Sequence, residues 1–407
     1  MIVRTWIAAF ASVVPASALA QAPMLSQAIV VADSGDSAWV LAASVLILFA
    51  ALPGFALLHG RGRVGPTGLA LFIATAIVSL VFTAIGYTLA FGEGSSLLGG
   101  VGNVMLGQLA NLRLETTIPE ILFAFFHVVI AVFAIASLAG AIAERARLGW
   151  LTGFVGLWLL LVYVPVARAL WGGGWLAQLG AFDFSGGIVL QTTVGTAALV
   201  IALLLRGGRA TEVAQDSRLA LAGVALIWIG WLGLVGGSAL GGGDDAATAM
   251  LNAQLAASAA ALTGLAIERQ RTGVVSVYGA SYAALAGLAA VSAGAGVVGP
   301  AGAMLLGALG ALGAALAARA VRSLHLGNAS SAFVAHGGGG IVGSLAFPLF
   351  IATSLGGPGF DATNSLSSQL LAQLVAVTAV MLWTAVVTAV AALMVSMVLP
   401  MQSHEQI

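Results

Sequence analysis

A chain of 407 residues that is 60% hydrophobic and only 7% charged, with a mean hydropathy of +1.09, is not a soluble domain, since such a domain carries roughly 25% charged residues. Zero formal net charge argues against nucleic acid as a partner. The absence of cysteine removes disulfides and thiolate metal sites, and the absence of lysine removes Schiff-base and P-loop lysine chemistry. No segment alternates as a barrel strand would, so the composition and its 54 glycines point to an all-α polytopic membrane protein with closely packed helices.

Residues 1–22 read as a secretory signal peptide: Arg4, an apolar core from Trp6 to Val14, and the small-residue run Ala16-Ser17-Ala18-Leu19-Ala20. Cleavage after Ala20 or Ala22 would leave the mature N-terminus outside the cytoplasm; an uncleaved first helix is the alternative. Beyond the polar patch from Asp33 to Asp36, residues 37–400 form a membrane domain, and 401–407 are a short cytoplasmic tail.

About 20 apolar residues cross the hydrocarbon core. Segments of that kind recur at 37–59, 67–91, 117–142, 148–170, 186–205, 218–240, 246–267, 274–292, 297–320, 332–353 and 367–399, which predicts eleven transmembrane helices. The last would measure roughly 50 Å and must tilt or extend beyond the bilayer. The arginines test this count. Eleven fall in the loops after the first, third, fifth, seventh and ninth spans (Arg61, Arg63, Arg145, Arg147, Arg206, Arg209, Arg218, Arg269, Arg271, Arg319, Arg322), whereas only Arg113 and Arg168 fall on the other side. The positive-inside rule then places the C-terminus in the cytoplasm and the N-terminus outside, in the inner membrane of a bacterial cell. Five spans, five more and one extra long C-terminal helix are compatible with an inverted repeat. The pair Phe184-Ser185-Gly186-Gly187-Ile188-Val189 and Gly338-Gly339-Gly340-Ile341-Val342 supports it weakly.

Few polar side chains are available at membrane depth: His127, Trp171, Asp183 and Gln191 in the first half, and Ser238, Tyr278, Ser281, Tyr282 and His336 in the second. An ionisable residue in such a place is costly unless it faces a cavity or a partner. His336 stands beside the run Gly337 to Gly340, which lets a neighbouring helix or a small substrate come close. A packed histidine in a helix contact and a functional one are equally open on this stretch alone. No nucleophile with its base and no metal cluster is present, so no catalytic residue, cofactor or metal is expected. Scattered hydroxyls, amides and aromatics suit a pore better than an enzyme site.

Several ordered, correctly spaced segments carry a resemblance over nearly the whole mature chain. They are Leu52-Pro53-Gly54-Phe55-Ala56-Leu57, Gly86-Tyr87-Thr88-Leu89-Ala90-Phe91-Gly92-Glu93-Gly94, Gly140-Ala141-Ile142-Ala143-Glu144-Arg145, Tyr163-Val164-Pro165, Trp171-Gly172-Gly173-Gly174, Gly180-Ala181-Phe182-Asp183-Phe184-Ser185-Gly186-Gly187, Ile229-Gly230-Trp231, Gly237-Ser238 and His336-Gly337. In these the chain resembles the ammonium transporter/Rhesus family. The resemblance implies eleven spans with the N-terminus outside, an inverted five-plus-five repeat, and a homotrimer with one pore per subunit that passes ammonium or ammonia across the lipid bilayer.

The resemblance further implies that Trp171 and Ser238 form an outer substrate-binding site, by cation–π attraction and a hydroxyl acceptor. The alternative for Trp171 is an aromatic-belt anchor. Asp183 matches the family's aspartate near that site, more as a helix N-cap than as a ligand. His336 matches the second of two pore histidines. The first is replaced by Gln191, which does not titrate near neutral pH, so a two-histidine relay is not available. The family's two gating phenylalanines align with Ile130 and Leu234. Phe126 keeps an aromatic one turn before Ile130, and Tyr282 falls where the family has a small hydroxyl residue and could narrow the pore. His127 is open between a substitute pore group and a lipid-interface histidine. The tail ends seven residues past Pro400, which speaks against regulation by a PII-type protein. Two other functions stay in view: a non-transporting ammonium sensor or coupling protein, and a passive channel for neutral ammonia or another small gas.

Overall fold

The computed structural model describes residues 31–60, 64–205, 216–324, 326, 329–360 and 364–402. The signal-peptide segment and the last five residues of the tail lie outside them. So do Arg61, Arg63, Arg206 and Arg209, four of the arginines used to orient the chain.

Among the described residues the chain is helical, with a single isolated β-bridge between Gly94 and Gly99. Ten helices among the described residues are long and apolar enough to cross a membrane. They are α1 (Ser34–His59), α2 (Val64–Phe91), α3 (Glu120–Ile142), α4 (Leu148–Gln178, which includes a turn at 171–174), α5 (Gly187–Leu204), α6 (Ser217–Gly237), α7 (Asp244–Thr272), α9 (Pro300–Arg322), α10 (Ser330–Phe350) and α11 (Leu366–Ser396). Between α7 and α9 lies α8 (Val277–Val291), an apolar helix of 15 residues. At 1.5 Å per residue it is about 22 Å long, short of the ~30 Å hydrocarbon core. The predicted span at 274–292 is therefore shorter as a helix than the hydropathy implied. The buried stretch that follows it, 292–298, is a series of turns.

Burial orders the bundle. The window of α3 is 83% buried and that of α2 or α7 only 28%, so α3 is central and the other two are peripheral. Outward faces are apolar, with Phe72, Leu80, Leu316 and Val386 all exposed, as a lipid-facing surface requires. Packing is by small residues. Helix α7 turns Ala249, Ala253, Ala256, Ala257 and Ala260 inward, and α8 and α9 meet that face at Gly287 and Gly307. Without a hydrophobic drive between helices in lipid, such close backbone approach supplies the van der Waals contact.

Five helices carry a π-helical turn: Ala50–Gly54 in α1, Phe82–Gly86 in α2, Leu159–Tyr163 in α4, Gly187–Thr192 in α5 and Phe333–Gly337 in α10. The first contains Pro53, whose missing N–H and ring disturb the regular ladder. The last two hold Gln191 and His336.

Two irregular stretches bind the bundle behind these turns. Phe184 N donates to Ala293 O (3.0 Å), and Ser185 donates to Ser292 O through both N (3.0 Å) and Oγ (2.7 Å). Asn252 of α7 holds the second stretch by donating to Ala295 O (2.8 Å) and Val298 O (2.7 Å). Gln373 of α11 clamps the first, accepting from Phe182 N (2.8 Å) and donating to Phe182 O (2.9 Å) and Ser344 O (3.2 Å). These side chains replace the helical ladder that the turns lack, as buried backbone groups demand.

Candidate functional site

The centre of the site is a buried amide–imidazole pair. Gln191 on α5 and His336 on α10 are 145 positions apart in sequence, yet Gln191 Oε1 lies 2.7 Å from His336 Nδ1. Both residues are buried. Glycine makes the approach feasible: a Cβ at Gly340 would lie 2.5 Å from the Cβ of Gln191. With the amide in this orientation its oxygen accepts, which puts the His336 proton on Nδ1 and a lone pair on Nε2. Gln191 Nε2, also buried, has no partner among the described residues. The imidazole is held from two further sides. Trp231 stacks on it at 5.8 Å and 9°, and Phe55 lies 6.2 Å away at 48°. Trp231 is itself fixed by Nε1 donating to Ser292 Oγ at 3.0 Å.

Asp183 sets the start of α5. One carboxylate oxygen accepts from Gly186 N (3.0 Å) and the other from Ile188 N (2.9 Å) and Val189 N (2.8 Å). Gly186 between them has φ 96°, a left-handed conformation that glycine adopts without strain. Gly186 occupies the N-cap position, and the Asp183 carboxylate, three residues earlier, accepts the N–H groups at the start of the π turn that presents Gln191. Burial pushes its carboxyl up to about 6, against the lowering pull of the backbone N–H groups.

Towards the same end of the bundle, Trp171 is partly exposed and donates Nε1 to the backbone oxygen of Asp183 at 2.7 Å. His127 lies 5.8 Å from Trp171, 5.7 Å from Phe126, 4.4 Å from Phe91 and 4.1 Å from Phe123, ring centre to ring centre. Phe126 packs against Gly237, so that a Cβ there would meet its ring at 2.6 Å. Ser238 follows immediately, half-buried, with Oγ donating to Leu234 O at 2.8 Å. A run of contacts from Trp171 through His127 and Phe126 to Gly237 therefore places all three aromatic and hydroxyl candidates in one neighbourhood. Ile130 and Leu234 are each buried, on α3 and α6.

Two charged residues near this end of the bundle are buried and hold backbone. Arg168 is buried and donates to Ser95 O (3.1 and 2.7 Å) and Gly92 O (2.9 Å), one turn before Trp171. It pins the segment after α2 behind the tryptophan. Glu120, at the start of α3, is likewise buried. It accepts from Tyr87 Oη (2.9 Å) and Ala110 N (2.6 Å) and pairs with Arg113 at 3.4 Å. Arg113 in turn lies over Phe123, 4.4 Å from the ring centre. Sequence reasoning missed the supporting roles of Trp231, Phe55 and Arg168; the available signal was the presence of Trp231 and Phe55 in matched motifs. Among the described residues no three of His, Cys, Asp and Glu gather as a metal site would require.

An all-helical bundle with apolar outer faces, ten membrane-length helices and a polar pair in its interior defines a multi-pass membrane protein. The chain belongs to the Ammonium Transporter Family, whose model matches residues 38–407; this is a family of transporters rather than of enzymes. It is 35% identical over 382 residues to an ammonium transporter of Bacillus subtilis, covering 91% of this chain and 94% of the relative. Among solved structures it is similar to Candida albicans Mep2, with a TM-score of 0.83 at 31% identity, covering 92% of this chain and 87% of that one. It is also similar to a protein described as a sensor Amt protein, with a TM-score of 0.82 at 25% identity, covering 91% and 95%.

Proposed function

We propose that the chain conducts ammonium nitrogen across the cytoplasmic membrane, capturing ammonium on the outer side and passing neutral ammonia between Gln191 and His336. The observation that carries this reading is the 2.7 Å bond between that pair. With Nδ1–H committed to Gln191, the pair has one acceptor, His336 Nε2, and one donor, Gln191 Nε2, left over. If the amide turns over, Gln191 donates to Nδ1 instead, and the remaining groups become the Gln191 oxygen and an N–H at His336 Nε2. Either arrangement leaves at least one donor and at least one acceptor. Ammonia has three N–H bonds and one lone pair and can satisfy both. Ammonium has four N–H bonds and no lone pair, so it leaves the donor unmatched, at about 1–3 kcal/mol on top of its own desolvation. Glutamine does not titrate, so charge is not handed along a histidine pair.

The outer groups suit the ion. Trp171 spends its N–H on Asp183 O, and Ser238 spends its O–H on Leu234 O. What they have left is a π face and hydroxyl lone pairs, which match a cation that can only donate. Between the outer site and the pair, Ile130 and Leu234, with Phe126 above them, form the apolar constriction; ammonium gives its proton to water on the outer side before it, and neutral ammonia goes on. Asp183 serves this path by holding the start of α5. In the full proposal α8 and the turns after it complete an eleventh crossing, the halves are related as an inverted repeat, the N-terminus is outside, and the assembly is a homotrimer with one path per subunit. The name of the Bacillus relative and the likeness to Mep2 support transport of ammonium.

A second reading, sensing without flux, has one observation in its favour, the likeness to the sensor protein. An ammonium jump on proteoliposomes with a pH-sensitive dye inside tests both. Internal alkalinisation without sustained current is expected. A sustained current overturns the neutral-ammonia mechanism, and neither signal from folded protein transfers the weight to sensing.

A further inference from the structure

His127 has no part in the path just described, yet its surroundings are those of a ligand site. It is buried, 6% exposed, on α3. Its Nδ1 lies 2.9 Å from the backbone oxygen of Phe123, four residues earlier on the same helix. A carbonyl only accepts, so Nδ1 carries the hydrogen and Nε2 is the acceptor. No protein group among the described residues bonds Nε2, whereas a histidine that merely fills a core has its second nitrogen satisfied as a rule. The imidazole is enclosed by Phe91, Phe123 and Phe126 and by the partly exposed Trp171, at ring-centre distances from 4.1 to 5.8 Å.

Trp171, Ser238 and His127 have each spent their one hydrogen on a backbone carbonyl. Ser238 and His127 do so in the same way, on the carbonyl four positions back in their own helix. Three neighbouring side chains that could donate are thereby turned into π faces and lone pairs. We infer that His127 is a ligand of the outer site, its Nε2 accepting an N–H bond from ammonium inside the aromatic cage. This deepens the proposed function and rests on its outer site. The charged groups around the cage are Arg113, beyond the Phe123 ring, and its partner Glu120. Neither comes between the imidazole and Trp171 in the contacts that define the cage.

The inference separates two components of recognition. A cage of π faces attracts any small cation, so it draws potassium and ammonium alike, which are similar in size. A lone pair at Nε2 prefers the ion that carries hydrogen. The test is an equilibrium titration of the purified, detergent-solubilised protein with ammonium chloride and with potassium chloride, read by tryptophan emission, for the parent, His127→Phe and His127→Gln. Phenylalanine keeps the ring and loses the acceptor; glutamine keeps one donor and one acceptor. The expected result is that His127→Phe weakens ammonium by about tenfold or more, the scale of a hydrogen bond to a charged group. Potassium should be unchanged, and His127→Gln should recover most of the ammonium loss. Equal ammonium titrations for parent and His127→Phe, or a parallel loss of both ions, would overturn it. Should His127→Phe not fold, His127→Leu serves for the same comparison. The readout needs no flux: a protein that transports nothing but shows this pattern refutes the transport reading and leaves the His127 assignment standing.

Discussion

Replacing Gln191 by leucine should cost little stability and much transport. The side chains are similar in volume, and the site is wholly buried. The exchange removes a neutral hydrogen bond, worth about 1 kcal/mol, and leaves His336 Nδ1–H without an acceptor, at about 1–3 kcal/mol. It also removes Gln191 Nε2, a buried donor that is already without a partner, which returns a similar amount. The net change in folding free energy is therefore within about 1 kcal/mol of zero. For transport nothing cancels. Ammonia loses the donor at position 191, and the imidazole loses the bond that fixes which nitrogen carries its hydrogen. Loss of one such interaction in the barrier slows passage about tenfold for each 1.4 kcal/mol. Thermal unfolding of solubilised protein and the initial rate of internal alkalinisation in proteoliposomes measure the two effects separately. Parental flux in a folded Gln191→Leu protein would refute the donor–acceptor argument.

The remaining predictions bear on the parts that hold the pair. Asp183→Asn puts an NH2 group against backbone N–H donors that now meet an oxygen, so it should lower stability by about 1–3 kcal/mol, read by thermal unfolding. Because burial raises the Asp183 pKa from 3.8 to about 6, the folded state holds the proton more tightly than the unfolded one. Its contribution is present below about pH 4 and is lost as pH rises through 6; the difference in melting temperature between parent and Asp183→Asn should change across that window and be level above it. Trp231→Phe keeps an aromatic ring against His336 but loses the bond to Ser292, so flux should fall severalfold with about 0.5–1.5 kcal/mol of stability; unchanged flux would show that the ring orientation does not matter. Gly340→Val should force α5 and α10 apart and cost about 1–3 kcal/mol or prevent accumulation in the membrane, measured as folded yield.

Hydropathy located most of the helices because a spanning segment must satisfy its backbone internally and face lipid. The predicted 186–205 became Gly187–Leu204, and 367–399 became Leu366–Ser396. The predicted 274–292 became the shorter Val277–Val291 and 297–320 became Pro300–Arg322; the apolar turns between them have carbonyls met by Ser185 and Asn252 from other elements. Individual site residues were legible through family motifs, whereas their contacts were not. The Gln191–His336 bond spans 145 positions, and no local pattern encodes it. Arg168 read as an outer-loop charge because composition cannot distinguish a solvated guanidinium from one bound to the carbonyls of Gly92 and Ser95. The π turns were invisible because wholly apolar helices give no polar face from which to measure their period.

Those π turns have a bearing on how such a site can arise and drift. One extra residue in a helix rotates everything beyond it by about 100°, so α10 behaves as two helical pieces, Ala329–Ala332 and Gly338–Ala346, fused with a step in facial register, while α5 opens directly on its π turn. The regular helix beyond each turn can keep its packing contacts while the turn itself decides whether Gln191 and His336 face one another. A one-codon deletion inside either turn would leave composition and hydropathy almost untouched and yet swing its polar group into a packed wall. Pairwise alignments that place a gap within 187–192 or 333–337 are thus comparing different interiors, however similar the flanking sequences.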